Sequence, residues 1–236
     1  MTITNSVRVM LLSIAASSLL IACGSSTQSQ PPAKFEVTLT NLTAGQPMSP
    51  LVAIAHGSGF SLFSVGQPAS VGLEHLGEGG ETAPLVSLAA ASLGYFGSAV
   101  GSGAVSPGAS SMVTLSVNQG NLAAAKLSLA SMLVNTNDAI AAVNAHSLSV
   151  LNVGTSTRMD LLSYDIGTEA NSESAATIPG PAGGGAGFDA ARDDIRDAVH
   201  LHPGVITADD GLSGSALAAL HRWDNPVARV TITRIQ

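Results

Sequence analysis

Cysteine is almost missing from this chain: one thiol, Cys23, in 236 residues. No intramolecular disulfide can form, so the fold must be held by burial, with or without a metal ion. Aromatic residues make up only 3%, which leaves Val, Leu, Ile and Ala to build the core and argues against a stacking platform for sugars or bases. Basic residues are scarce as well. Nine Lys and Arg stand against 16 Asp and Glu, a net charge of −7, and nucleic-acid binding wants the opposite balance. Four common enzyme signatures are absent: the G-x-S-x-G elbow, H-E-x-x-H, the phosphate-binding G-x-x-x-x-G-K-[ST] loop, and C-x-x-C. After residue 23 no run is long and apolar enough to cross a bilayer.

What is present begins at the amino terminus. Arg8 gives a small positive region, and Val9 to Ala22 is apolar apart from small serines. That run is too short to span a membrane but suits a secretory signal. It ends in Leu20-Ile21-Ala22-Cys23-Gly24, a lipobox in which the thiol is needed to form a thioether to a diacylglyceryl group. Residues 1–22 are therefore expected to be a lipoprotein signal peptide, and Cys23 the lipidated residue (palmitate being a typical acyl chain). Gly24 to Ala33 (GSSTQSQPPA) reads as a flexible tether. The expected address is the cell envelope, on the outer membrane if the cell has one, at its periplasmic or surface side. The lipid would be the only membrane contact. Removing the first 22 of 236 residues leaves 214, enough for one generous domain over 34–236.

Within that domain, Lys34–Leu42 (KFEVTLTNL) alternates apolar and polar residues, as a half-buried strand does. Further strands are expected at 50–60, 112–117, 126–134, 139–143, 146–151 and 158–166. The tail 227–235 should set Ala228, Val230 and Ile232 on one face. Residues 62–76 read as loop followed by a short helix or turn, propensity favours helix over the Ala-rich 85–93, and 77–84 reads as turn. Gly and Ser make 94–111 a loop, and Gly and Pro do the same for 167–188. Many short strands with few helical patterns predict an all-β antiparallel β-sandwich with long Gly/Pro-rich loops and one or two short helices. The first and last strands are expected to pair or to be neighbours.

Two acidic loops are the leading chemical candidates: Asn135-Thr136-Asn137-Asp138 and Tyr164-Asp165-Ile166-Gly167-Thr168-Glu169. Carboxylates on adjacent loops suit a hard cation such as Ca²⁺, which would also relieve their mutual repulsion. The bland alternative makes Asp138 and Asp165 turn formers bonded to their own backbones. A hydrolytic set of Ser215, His221 and Asp224 is a rival. So is a transition-metal pair at His200 and His202, although Pro203-Gly204 makes that segment a turn. A purely structural envelope protein is the third reading. Trp223, the single Trp, is expected to anchor the core ahead of the last strand.

Five blocks in order add a resemblance. Ser131 to Val143 (SMLVNTNDAIAAV) and Tyr164 to Glu169 (YDIGTE) are similar to the corresponding segments of the spondin N-terminal domain family. His202-Pro203-Gly204-Val205 and Trp223 to Val230 (WDNPVARV) resemble the H-P-G-I and W-x-N-P-V-A-R-V elements of its bacterial members. Phe35 to Leu42, with Pro50 to Gly57, fits its start. The resemblance implies an antiparallel sandwich with Ca²⁺ held at one end by loop carboxylates. Matched position by position, the metal ligands are Asp138, Asp165 and Glu169. It further implies a non-catalytic binding or adhesion module that presents its loops to a protein or glycan partner. Ala139 and Ile140 follow Asp138 where animal members carry an aromatic, and no cysteine-rich modules accompany the domain. Matrix adhesion is therefore not carried over.

Overall fold

Alternation along the first strand sets the architecture. In the computed structural model, which describes residues 1–2 and 30–236, the chain enters β1 (Ala33–Asn41) with every second side chain buried. Cys23, residues 3–22 of the expected signal peptide and most of the expected tether fall outside the described residues. Residues 31–236 form one unit.

The other strands are β2 (Val52–His56), β3 (Tyr95–Val100), β4 (Ser110–Val117), β5 (Lys126–Met132), β6 (Ala139–Ser147), β7 (Ser156–Asp165), β8 (His200–Leu201) and β9 (Ala228–Arg234). Every pairing is antiparallel, in the order β3-β2-β5-β6-β7-β9-β1-β4, with β8 added beside β7. The first and last strands do pair, Val37 opposite Ile232. β7 joins the two halves: Ser156–Leu161 pairs with β9, and Leu162–Asp165 pairs with β6. The two edge strands approach each other, because a Cβ on Gly97 of β3 would stand 3.0 Å from the Ser116 carbonyl oxygen of β4. The sheet is thus nearly closed around its interior. Phe35, Val37 and Leu39 fill that interior together with Leu115, Leu127, Leu129, Val230 and Ile232, all of them buried.

The two halves are covered differently. β1, β4 and β9 keep one face towards water, so their sequences alternate. β2 and β5 are buried on both faces. Their outer face carries Val52, Ile54 and Ala130 under helices α1 (Val71–Gly79) and α2 (Thr82–Ala90), through Leu73, Leu76, Leu85 and Ala89. The structure therefore makes helix where 77–84 reads as turn. It also makes a strand, β3, where Gly97 and Ser98 suggest loop, since backbone pairing with β2 outweighs their weak strand preference. The predicted strands 139–143 and 146–151 are in fact one strand, β6. It is interrupted at Ala145 (φ +61°), where Ser128 Oγ accepts the Ala145 N–H, and a turn follows it.

Helix α1 carries a side chain that matters below, and its ends are set locally. Ser70 Oγ accepts the Leu73 N–H at 3.3 Å as N-cap, and Gly80 closes the helix in the left-handed region (φ +68°). Gly77 lets the helix rest on the Asp138 loop: a Cβ there would sit 3.2 Å from the Asp138 carbonyl oxygen and strike Ile166. Ser70→Ala is expected to cost about 1 kcal/mol, measured by urea unfolding. A loss below about 0.3 kcal/mol would mean the cap adds nothing.

Candidate metal centre

The chain reverses between β5 and β6 through Asn135–Asp138, and this turn is tied down from within. Thr136 Oγ1 donates to the Leu133 carbonyl at 2.5 Å and accepts the Ala139 N–H at 3.0 Å. Asn137 and Asp138 thereby become fully buried. Asp165 ends β7, where it pairs with Ala139 across the ladder, so the two aspartates meet at one end of the sheet. The chain then turns at Gly167 and brings Thr168 and Glu169 over Asp138.

Asp138 Oδ2 accepts the Thr168 N–H at 2.7 Å and the Glu169 N–H at 3.2 Å, with the Thr168 hydroxyl at 3.3 Å. Its Oδ1 has no partner. Burial pushes the Asp138 carboxyl well above the usual carboxylate range. Asp165 pushes it further, and the three hydrogen bonds only partly oppose this. Asp165 is better satisfied. Oδ1 accepts the Gly167 N–H at 2.8 Å, the turn expected of an Asp two residues ahead of a glycine, and Oδ2 accepts from Asn171 Nδ2 at 2.6 Å. His200 Nε2 stands 3.6 Å from the same oxygen.

Glu169 is only 8% exposed, and its Oε2 lacks a partner. Burial raises its pKa to about 8, and Glu78 of α1 is the next cause. Sequence reasoning missed Glu78. It is 1% exposed, its Oε1 is unpartnered, its Oε2 accepts the Asp189 N–H at 2.9 Å, and burial raises its pKa. Its spacing from Glu74 is the available signal: two acids at i and i+4 on a helix whose Leu73 and Leu76 face the core. Glu74 is neutralised by Arg192 at 2.6 Å. Glu78 has no base in hydrogen-bonding contact among the described residues.

The three predicted ligands therefore share one end of the sheet but fall into two pairs. Asp138 bears on Asp165, and Glu169 bears on Glu78. Among the described residues no three His, Cys, Asp or Glu converge into one metal-binding group. Oxygen donors that lack a partner nevertheless gather here: Asp138 Oδ1, Asn137 Oδ1, Glu169 Oε2 and Glu78 Oε1. Buried acceptors left without donors are what a hard cation takes, and the side chains of Asn137 and Thr168 only partly offset the raised pKa values of Glu169 and Glu78. Glu173, also buried with a raised pKa, adds negative charge on the Asp165 side.

The rival sites are arranged differently. His202 Nδ1 accepts the Gly204 N–H at 3.0 Å, which places the neutral ring's proton on Nε2, and burial pushes the ring down to about 4. That nitrogen cannot ligate a metal in this tautomer. The ring instead packs on Trp223 with centroids 5.1 Å apart. Ser215 Oγ accepts the Leu217 N–H and His221 Nδ1 the Ala218 N–H; no hydrogen bond joins Ser215, His221 and Asp224 to one another. Trp223 packs partly buried against the core. Its Nε1 donates to Ser163 Oγ, and Asn225 Oδ1 accepts the Ser163 N–H at 2.7 Å.

No protein-family model matches the chain, and no curated protein does.

Proposed function

We propose that the chain is a lipid-anchored, non-catalytic binding module of the cell envelope, related to the spondin N-terminal domains, with a Ca²⁺ site in its acidic loops. Cys23 carries the lipid, and Asp138, Asp165 and Glu169 supply the acidic ligands. The partner is a protein or glycan met at the same end of the sheet. One observation carries the cation reading: Asp138 is fully buried, beside a second buried carboxylate, with Oδ1 unpartnered. A buried anion in that state is costly, and a cation ligated by that oxygen removes the cost.

The test is thermal melting in Ca²⁺ against chelator. A ligand a hundredfold above its Kd stabilises the folded state by about 2.7 kcal/mol. For a domain of this size the melting temperature should rise by about 5–11 °C. Asp138→Asn and Asp165→Asn should each remove most of the rise. An unchanged melting temperature in the parent protein would sink the calcium reading.

A further inference from the structure

We propose that the end of the sheet opposite the acidic loops is a membrane-contact face, which lays Val150, Val153 and Ile235 on an anionic lipid surface with Lys34, Lys126 and Arg234 around them. This goes beyond the expectation that a lipid on Cys23 is the only membrane contact. The face belongs to the folded domain and stands whether or not Cys23 is acylated.

The β6–β7 loop, residues 148–155, caps that end. It runs from Ser147, opposite Lys126, to Ser156, opposite Thr233. Its backbone is tied on both sides. The Leu148 N–H donates to the Ala125 carbonyl at 2.9 Å, the Gly154 N–H to the Arg234 carbonyl at 2.7 Å, and the Arg234 N–H to the Thr155 carbonyl at 3.1 Å. Arg234 Nη1 adds a bond to the Leu151 carbonyl at 3.0 Å. Leu148 and Leu151 turn inward and are buried, whereas Val150 and Val153 are 70% and 60% exposed. Ile235, beside the hydrogen bond between Gly154 and Arg234, is 42% exposed. Apolar residues scattered singly over a surface are ordinary. Three at one end of a sheet, two of them on a loop held in place, are a surface that wants a cover.

Charge selects that cover. Residues 139–159, which carry β6, this loop and the start of β7, contain no acid, and neither do residues 118–125 between β4 and β5. Lys34 accepts the Ile235 N–H at 2.8 Å through its carbonyl, so it stands beside the apolar cluster, and Lys126 opens β5 opposite Ser147. Among the described residues neither lysine pairs with an Asp or Glu, whereas Arg192, Arg222 and Arg229 are each held by one. Glu36, two residues along β1 from Lys34, is the acid that shares this end. The opposite end holds Asp138, Asp165 and Glu169. A chain with a net charge of −7 is repelled by an anionic surface in most orientations, but this segregation leaves one in which cations lead and acids trail. An acidic protein would answer the lysines and leave the valines wet. A lipid surface answers both, with phosphates for the cations and the edge of the acyl layer for the valines. A lipid on Cys23, ten residues before Ala33, lies within about 35 Å of chain and would deliver this same end.

The test uses the full chain with Cys23→Ser, which removes the lipid site and the single thiol. Val150→Cys is added to it, or Leu220→Cys as a control. Leu220 is 60% exposed and lies at the acidic end, where Gln46 Nε2 joins the Asn135 and His221 carbonyls. Each new thiol carries the environment-sensitive fluorophore NBD, and vesicles of phosphatidylglycerol are compared with vesicles of phosphatidylcholine. Residues 9–22 are themselves apolar, so attachment alone decides nothing; the position that enters the lipid does. The label at 150 should brighten and shift to the blue on phosphatidylglycerol and stay unchanged on phosphatidylcholine. The label at 220 should stay unchanged on both. Lys34→Gln and Lys126→Gln together should raise the phosphatidylglycerol needed for the response about 25-fold, about fivefold for each charge. If Val150→Cys does not fold, Val153→Cys reads the same face. Equal responses at 150 and 220, equal responses on the two lipids, or no response at 150 would each overturn the face. None of these outcomes bears on the lipid proposed at Cys23, which the test protein lacks.

Discussion

Gly167→Ala is expected to lower the unfolding free energy by about 2–4 kcal/mol. Gly167 sits in the left-handed region at φ +73°, where a side chain costs about 1 kcal/mol or more. A Cβ there would also stand 2.6 Å from the Ala198 carbonyl oxygen. That oxygen is backbone and cannot swing aside, and overpacking of this kind costs roughly 1–3 kcal/mol. Gly108 and Gly103 separate the two effects. Gly108 has φ +75° with open space around it, and Gly103 has open space without a left-handed backbone. Alanine should therefore cost about 1 kcal/mol at 108 and between zero and a slight gain at 103. Urea unfolding of the three variants measures the order. A Gly167→Ala protein within about 0.5 kcal/mol of the parent would show that the loop moves freely against residue 198. Gly167 also presents its N–H to Asp165 Oδ1, so the variant should weaken Ca²⁺ binding as well.

The second large effect is a dependence on pH whose sign Ca²⁺ reverses. Glu169 has its pKa raised from 4.5 to about 8, and Asp138, Glu78 and Glu173 are raised as well. An acid with a raised folded-state pKa favours folding fully below its unfolded value, and that contribution is lost as pH rises through the folded value. The depressed His202, at about 4, works at lower pH: its contribution is complete above about 6.5 and lost on acidification. His202, and the likewise depressed His56 and His146, are half-protonated in the unfolded chain at pH 6.5 and neutral in both states by pH 8. Their opposing slope therefore fades across this window while that of the carboxyls persists. At about 1.4 kcal/mol per unit for a full proton, Glu169 alone should lose roughly 1–2 kcal/mol across that window in chelator. The corresponding fall in melting temperature is roughly 2–8 °C. In saturating Ca²⁺ the carboxyls are ionised and ligated, and affinity rises with pH. The melting temperature should then hold or climb, so the gap between the two conditions widens with pH. Parallel slopes with and without Ca²⁺ would mean that no ion reaches these carboxyls.

Much of the fold was legible because half-buried strands advertise themselves. Phe35, Val37 and Leu39 alternate with polar residues in β1, as Ala228, Val230 and Ile232 do in β9, and each set faces the interior. β3 was not legible. Its order comes from pairing with β2, and Gly97 is required by the approach of β4 rather than by any local preference. β6 read as two strands because Ala145 interrupts the pattern that the ladder to β5 then carries through. The site divided in the same way. Asp138 lies in the short turn between β5 and β6, Asp165 ends β7 and Glu169 follows it into the next loop, places where an acid beside a strongly patterned strand stands out. Glu78 lies on a helix, and Glu74 beside it is spoken for by Arg192. Nothing local distinguishes those two glutamates, since the difference is made by Arg192, Asn137 and Glu169, far away in sequence.

The register of β1 has a mechanical consequence. Ala33 lies at the end of the sheet shared with Ser156 and Arg234, whereas Asn41, Ala228 and Asp165 mark the opposite end. At about 3.3 Å per residue the nine residues of β1 separate these ends by about 30 Å. The segment that enters at Ala33 therefore joins the sheet at the end opposite the acidic loops. A pull applied between Ala33 and the acidic loops would run along β1, with β4 on one side and β9 on the other. Such a load shears two ladders at once, so their hydrogen bonds must fail together rather than one by one.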